Sequence, residues 1–212
     1  MYILTDIIQF PPVTYADSNG LLAIGGDLSV ERLLKAYNSG IFPWYSEDQP
    51  ILWYSPDPRM VLFPSELKIS KSMRQLIRKN QFEVTFNTNY ESVINNCATI
   101  NRIGQDGTWI TTDMQQAYKK LYEMGFVVSV EVWQDKELAG GLYGIWLKEK
   151  GVFCGESMFS KVSNASKYGF ITLVEWLKER KIKLIDCQVY TDHLASLGAR
   201  EITRAAFVKY LE

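Results

Sequence analysis

Two short polar stretches close otherwise apolar segments, and they hold the side chains best suited to chemistry. The first is Leu184-Ile-Asp186-Cys187-Gln188, an apolar run ending in an acid and an amide. Side chains alternate across a strand, so Asp186 and Gln188 are expected on one face and Cys187 on the other. Burying an acid and an amide costs free energy unless each finds partners. One reading is a proton acceptor beside an amide that orients its partner. The other is an Asp that caps a nearby helix, with the Gln in a structural network. The second stretch is Cys154-Gly-Glu156-Ser-Met-Phe-Ser160, which sets Glu156 among apolar residues with hydroxyls beside it. It lacks the G-x-S-x-G spacing of a nucleophilic serine elbow, so serine-hydrolase chemistry is not expected.

Other chemistries drop out by residue count. The 212-residue chain has one histidine, His193, and three well-separated cysteines, Cys97, Cys154 and Cys187. That inventory fits neither a zinc site nor a disulfide framework, and reduced, mostly buried thiols are expected. No Walker A sequence occurs, and the pyrophosphate loop of coenzyme A-dependent acetyltransferases is missing before the long helix expected near Asn164. Gly140, Gly141 and Gly144 sit inside a strand pattern, where glycine marks close approach of backbone or ligand. Trp44 and Trp109 stand in loops, as packing anchors or as faces on which a base stacks.

The elements that must position these residues follow from periodicity and punctuation. Helices are expected from Ser29 to Gly40, Ser70 to Asn80, Tyr90 to Ala98, Thr112 to Met124 and Asn164 to Lys181, with short ones near Asp192–Leu197 and Arg204–Leu211. Thr112 with Gln115 reads as a capping box, and Asn164 or Ser166 as the cap of the long helix. Strands are expected over Phe126–Trp133, Glu137–Leu147, Gly151–Gly155 and Ile182–Gln188, with a turn at Gln134-Asp135-Lys136. Trp133, Trp146 and Trp176 fall on these elements as core or partial core. The first 60 or so residues differ: they hold Pro11, Pro12, Pro43, Pro50, Pro56 and Pro58, and one clear helix. A small lobe followed by an α+β or α/β sheet with packed helices is the expected layout.

Net charge is −1, so any nucleic-acid surface must be local. Lys71, Arg74 and Arg78 share one side of the Ser70 helix, a solvated face or a stripe that meets phosphates. No run approaches the roughly 18 apolar residues of a membrane span, and the start lacks the features of a signal peptide. A cytoplasmic protein is expected.

Taken together, the stretches Gly20-Leu-Leu-Ala-Ile-Gly-Gly-Asp-Leu-Ser29, Gly40-Ile-Phe-Pro-Trp44, Ser55-Pro-Asp-Pro-Arg59, Gly107-Thr-Trp-Ile110, Ser129-Val-Glu131, Gly140-Gly-Leu-Tyr-Gly144, Gly155-Glu-Ser-Met-Phe-Ser160, Ala165-Ser-Lys167, Leu184-Ile-Asp-Cys-Gln188 and His193-Leu-Ala-Ser-Leu-Gly-Ala199 resemble the bacterial leucyl/phenylalanyl-tRNA–protein transferases. They occur in the expected order over nearly the whole chain. The resemblance implies a small N-terminal domain over 1–62 and an acetyltransferase-like (GNAT-type) catalytic domain over 63–212, an α+β fold with a mixed sheet and packed helices. It implies transfer of Leu or Phe, and less readily Met, from aminoacyl-tRNA to proteins beginning with Lys or Arg, which marks them for degradation by the N-end rule pathway. No cofactor or metal is implied, and a monomer is expected. By the same resemblance Trp44 and Trp109 hold the terminal adenosine. Leu142, Phe153, Met158 and Ile185 line the amino-acid pocket. Asp186, Gln188 and Glu156 form the catalytic network, and Lys71, Arg74 and Arg78 meet the tRNA. The chain departs from many members at Thr191, where Asn is usual, and it lacks their histidines near Tyr122 and Val128.

Overall fold

The computed structural model describes residues 2–100 and 108–212, so Gly107 of the Gly-Thr-Trp-Ile motif lies outside them. Two sheets organise the chain. The smaller is built from β1 (Tyr2–Leu4), β2 (Leu21–Gly25), β3 (Phe42–Pro43) and β4 (Leu52–Tyr54), in the order β1-β2-β4-β3. The helix α1 (Val30–Asn38) sits between β2 and β3, capped by Ser29 as its sequence position suggests.

The larger sheet has seven strands: β5 (Arg59–Leu62), β6 (Glu83–Phe86), β7 (Val127–Gln134), β8 (Glu137–Leu147), β9 (Val152–Ser160), β10 (Leu184–Gln188) and β11 (Arg200–Ile202). Their order is β11-β5-β10-β9-β8-β7-β6, and among the described residues β9 with β10 is the one parallel pair of this sheet. The helices are α2 (Lys71–Arg78), α3 (Tyr90–Thr99), α4 (Thr112–Glu123), α5 (Ala165–Glu179), α6 (Asp192–Ser196) and α7 (Arg204–Val208). This is the α+β architecture expected, with helices on both faces of a mixed sheet.

Alternation along the strands divides the core. Leu184 and Cys154 face an apolar cluster that also holds residues of α1, α3 and α4, whereas Ile185 and Phe153 face one that holds Met73 of α2 and much of α5. The first cluster runs without a break from Leu22 and Trp53 of the small sheet through Leu33 of α1 and Tyr118 of α4 to Leu184 of the large sheet. β5 belongs to the large sheet, so that sheet takes its first strand from residues 59–62.

Several local expectations change. The α4 cap is Thr111, whose hydroxyl accepts from Met114 N at 3.2 Å, and Gln115 reaches Ile110 O instead of closing a box with Thr112. At α5 Asn164 holds the N-cap position, left-handed with φ of 69°, but its side chain makes no cap hydrogen bond, and Ser160 Oγ accepts from Ser166 N at 3.1 Å. β9 continues to Ser160, past the expected end at Gly155, because β8 pairs with it along nearly its whole length. The short strands β1 to β6 and β11 carry no clear alternation and were not expected from the sequence.

The strand glycines serve close packing. A Cβ on Gly140 would stand 2.8 Å from Ala165 Cβ, and one on Gly144 would overlap the Cys154 carbonyl oxygen and lie 2.5 Å from Phe153 Cζ. Gly144→Ala is therefore expected to cost about 1–3 kcal/mol through overpacking. An unchanged midpoint in urea unfolding would show that the two strands give way freely.

Candidate active site

The register Leu184↔Val152, Ile185↔Phe153, Asp186↔Cys154 ends at Asp186, where β10 bulges. Beyond it β9 runs on and β10 turns away. The gap opens a cavity of about 500 Å³, whose walls are mainly apolar side chains from both sheets. Gly155 stands at the fork, with only Asp186 O near its missing Cβ, at 3.6 Å.

The cavity gathers residues that are far apart in sequence. Leu142, Phe153, Met158 and Ile185 line it with Phe170. Trp44 and Trp109 also line it, and Trp44 is 42% exposed, so part of its ring system remains open to a ligand. Glu156, Asp186 and Gln188 complete the wall. Cys187, expected on the opposite face, lines the cavity too, because the bulge breaks strand alternation. Lys71, Arg74 and Arg78 are exposed on α2 and do not line it.

Asp186 is fully buried and bound by Arg59 through two parallel hydrogen bonds of 2.7 Å, from Nε and Nη2. The Arg59 guanidinium lies between the Phe42 and Phe207 rings, 4.8 and 4.6 Å from their centroids, and donates to Gly40 O at 3.2 Å. Asp186 Oδ1 also accepts from Gln188 N at 2.9 Å. That bond holds Gln188 in the left-handed region, with φ of 64°, a conformation non-glycine residues rarely adopt.

Fixed in this way, Gln188 donates from Nε2 to Glu156 Oε1 at 3.1 Å. Tyr118 of α4 donates to Glu156 Oε2 at 3.0 Å, and Tyr37 of α1 bonds Tyr118 through its own hydroxyl. Glu156 borders the cavity and keeps partial exposure, while its other sides are enclosed by protein. Burial pushes its carboxyl up to about 8, against the hydrogen bonds of Tyr37 and Tyr118, with Asp186 adding a further upward push. A ligand that fills the cavity removes the remaining water and strengthens the burial effect. Burial likewise drives the Tyr37 and Tyr118 hydroxyls well above the ordinary phenol range, so both are neutral hydrogen-bonding groups.

Three of these residues had no role in the sequence reading. Arg59 ends the Ser-Pro-Asp-Pro-Arg run, and a lone Arg opening an apolar strand was the available signal. Tyr37 and Tyr118 occupy core positions of their helices, where a tyrosine reads as packing. Thr191 also lines the cavity, and its hydroxyl caps α6 by accepting from Leu194 N at 3.2 Å. His193 lines it as well, and burial, with Lys167 nearby, holds its imidazole below the usual range.

Residues 61–212 match the family described as leucyl/phenylalanyl-tRNA protein transferase, and residues 26–57 match its N-terminal domain. The chain belongs to the leucyl/phenylalanyl-tRNA protein transferase family. It is thus an aminoacyltransferase. A relative of that name from Christiangramia forsetii is 60% identical, with 100% of both chains covered. Others from Flavobacterium johnsoniae (59%, covering 100% of this chain and 99% of the relative) and Pseudomonas fluorescens (56%, covering 96% and 90%) are similar over their length. Among solved structures, a GCN5-related glucosamine N-acetyltransferase region of a fungal multi-domain enzyme is similar, with a TM-score of 0.46 at 13% identity, covering 85% of this chain and 23% of that one. Among the described residues, no helix is long and apolar enough to cross a membrane.

Proposed function

We propose that this transferase moves leucine or phenylalanine, and less readily methionine, from aminoacyl-tRNA to the α-amine of proteins beginning with Lys or Arg. It acts in the cytoplasm as a monomer, and the modified proteins become substrates of N-end rule degradation. One observation carries the reading: a single cavity joins an apolar wall, two tryptophan faces and the Glu156–Gln188 pair.

The aminoacyl side chain fills the pocket of Leu142, Phe153, Met158 and Ile185, and the terminal adenosine stacks against Trp44 and Trp109. The acceptor amine attacks the ester carbonyl, forming the amide and breaking the bond to the ribose oxygen. The amine loses one proton and the departing ribose oxygen gains one. Asp186 anchors the site, because Arg59 and Gln188 N occupy its oxygens. Glu156 is the better proton carrier. Its carboxyl, pushed up to about 8, lies beside the amine's ordinary range of about 7.7–8.0, so transfer in either direction is nearly balanced. Gln188 orients Glu156 and the reacting groups, and Tyr118 with Tyr37 fixes the carboxyl from behind. The stripe of Lys71, Arg74 and Arg78 meets the tRNA.

The test is transfer of labelled leucine from leucyl-tRNA to a peptide beginning with Arg, beside the same peptide beginning with Ala, without ATP or metal. Transfer to the Arg peptide alone is expected, and equal transfer to both would remove the acceptor rule. Trp44→Ala and Trp109→Ala are each expected to raise KM for the tRNA about tenfold, since a lost stack is worth about 1–3 kcal/mol. Unaltered KM in both variants would relocate the adenosine.

A further inference from the structure

At the end of α5 away from the cavity, aromatic rings carry two cations. Arg180 Cζ lies 3.7 Å from the Trp176 ring centroid, and Arg180 Nη1 donates to Trp176 O at 2.9 Å. Trp176 packs edge-on against Trp146 at 5.3 Å, and Lys148 Nζ stands 5.0 Å over Trp146. Phe86 stacks on Trp176 at 4.9 Å. Lys183 joins the same surface, its side chain 3.4 Å from the Cβ position of Gly151 in the turn that follows Lys148. Lys148, Arg180, Lys181 and Lys183 are all exposed.

We infer that this surface is a second contact for the body of the tRNA, separate from the cavity and from the α2 stripe. The inference rests on the transferase reading, since it extends the same ligand. Among the described residues Lys148, Lys181 and Lys183 form no salt bridge, and Glu179 stands 3.6 Å from Arg180 with its side chain 78% exposed, so it neutralises little. A guanidinium laid on an indole is held flat with its outer edge free, which suits a phosphate and lowers the ordering cost of binding. Glu149, Glu175 and Glu179 lie in the same stretches, so what sets this face apart from an ordinary solvated one is the aromatic bed under Arg180 and Lys148.

Position supports the same partner. α5 begins at the cavity, where Ser166 lines the wall, and its 15 residues carry the chain about 22 Å to Arg180. A polynucleotide whose 3′ end enters the cavity extends over such a distance, and an acceptor peptide engaged at its first residue does not need to. α2 packs on α5 against the same apolar cluster that supports Trp146 and Trp176, so both basic features lie on one side of the large sheet.

The test compares two donors on the full chain: leucyl-tRNA and a 3′-leucyl-adenosine too short to reach α5. In Lys148→Glu/Arg180→Glu, KM for leucyl-tRNA is expected to rise about tenfold. The salt dependence of tRNA binding should weaken by about one contact for each lost phosphate partner. Transfer from the short donor should keep its wild-type rate, which also shows that the variant folds. Unchanged tRNA affinity and salt slope, or an equal loss with both donors, would overturn the inference. Loss of binding to acidic peptides or anionic vesicles with tRNA binding intact would overturn it in favour of a different partner. If the wild-type chain used neither donor, the transferase reading would fail, while the tRNA titration would still decide the surface.

Discussion

Asp186→Ala is expected to lower stability by about 3–5 kcal/mol and to remove most transfer activity, because it strands the Arg59 guanidinium in a dry site. Arg59 is 1% exposed along its side chain, and its Nε and Nη2 spend their bonds on Asp186. Arg59→Leu should destabilise by a similar amount, leaving the carboxylate alone. The double variant Arg59→Leu/Asp186→Leu should recover much of the stability, since apolar residues of similar volume replace a buried pair at little net cost. It should recover no activity, because the Asp186 oxygen that fixes Gln188 is gone. Gln188→Ala should match that loss of turnover with near-native stability and nearly intact tRNA binding. Denaturant unfolding beside single-turnover transfer distinguishes these cases. Wild-type rates in both Asp186→Ala and Gln188→Ala would remove this network from the mechanism.

Glu156→Gln is expected to slow turnover about 100-fold or more, the usual worth of a positioned proton carrier. It keeps the amide in reach of Tyr118 and Gln188, so the loss is one of proton transfer. The pH profile gives the sharper readout. Below about pH 7.7 the wild-type rate should rise with two ionisations, the acceptor amine and Glu156, and the variant should keep only the amine's step. A variant profile as steep as the wild type's would assign the second proton elsewhere.

Stability should respond as well. The folded carboxyl, at about 8, lies above its ordinary value of 4.5, so between those pH values the unfolded chain releases a proton that the folded chain keeps. The contribution is therefore fully present below about pH 4.5 and is lost as pH rises toward 8. The slope is at most about 1.4 kcal/mol per pH unit. Removing that slope is the expected signature of Glu156→Gln in unfolding measurements across this window.

Much of this molecule was determined by the sequence alone. Periodicity and caps place the helices, since each depends on residues only three or four positions apart: Ser29 caps α1, Ser70 caps the helix expected to start there, and β7, β8 and the turn between them stand where expected. The order of short motifs carries the family. Even the polar part of the cavity wall was legible as a set of residues, because Glu156, Asp186 and Gln188 interrupt apolar runs where a polar group must find partners, structural or chemical.

Their roles were decided only by the tertiary structure. Asp186 reads as a free acid until a strand more than a hundred residues away, β5, lays Arg59 against it. Glu156 gains its raised carboxyl from burial, and the Tyr37 and Tyr118 hydroxyls that oppose the rise come from helices that no local pattern connects to β9. The bulge that turns Gln188 toward Glu156 and exposes Cys187 depends on pairing with two neighbouring strands at once. Burial, charge pairing and hydrogen-bond partners are properties of residues distant in sequence. A short motif can name an acid, and the packing around it sets where its proton goes.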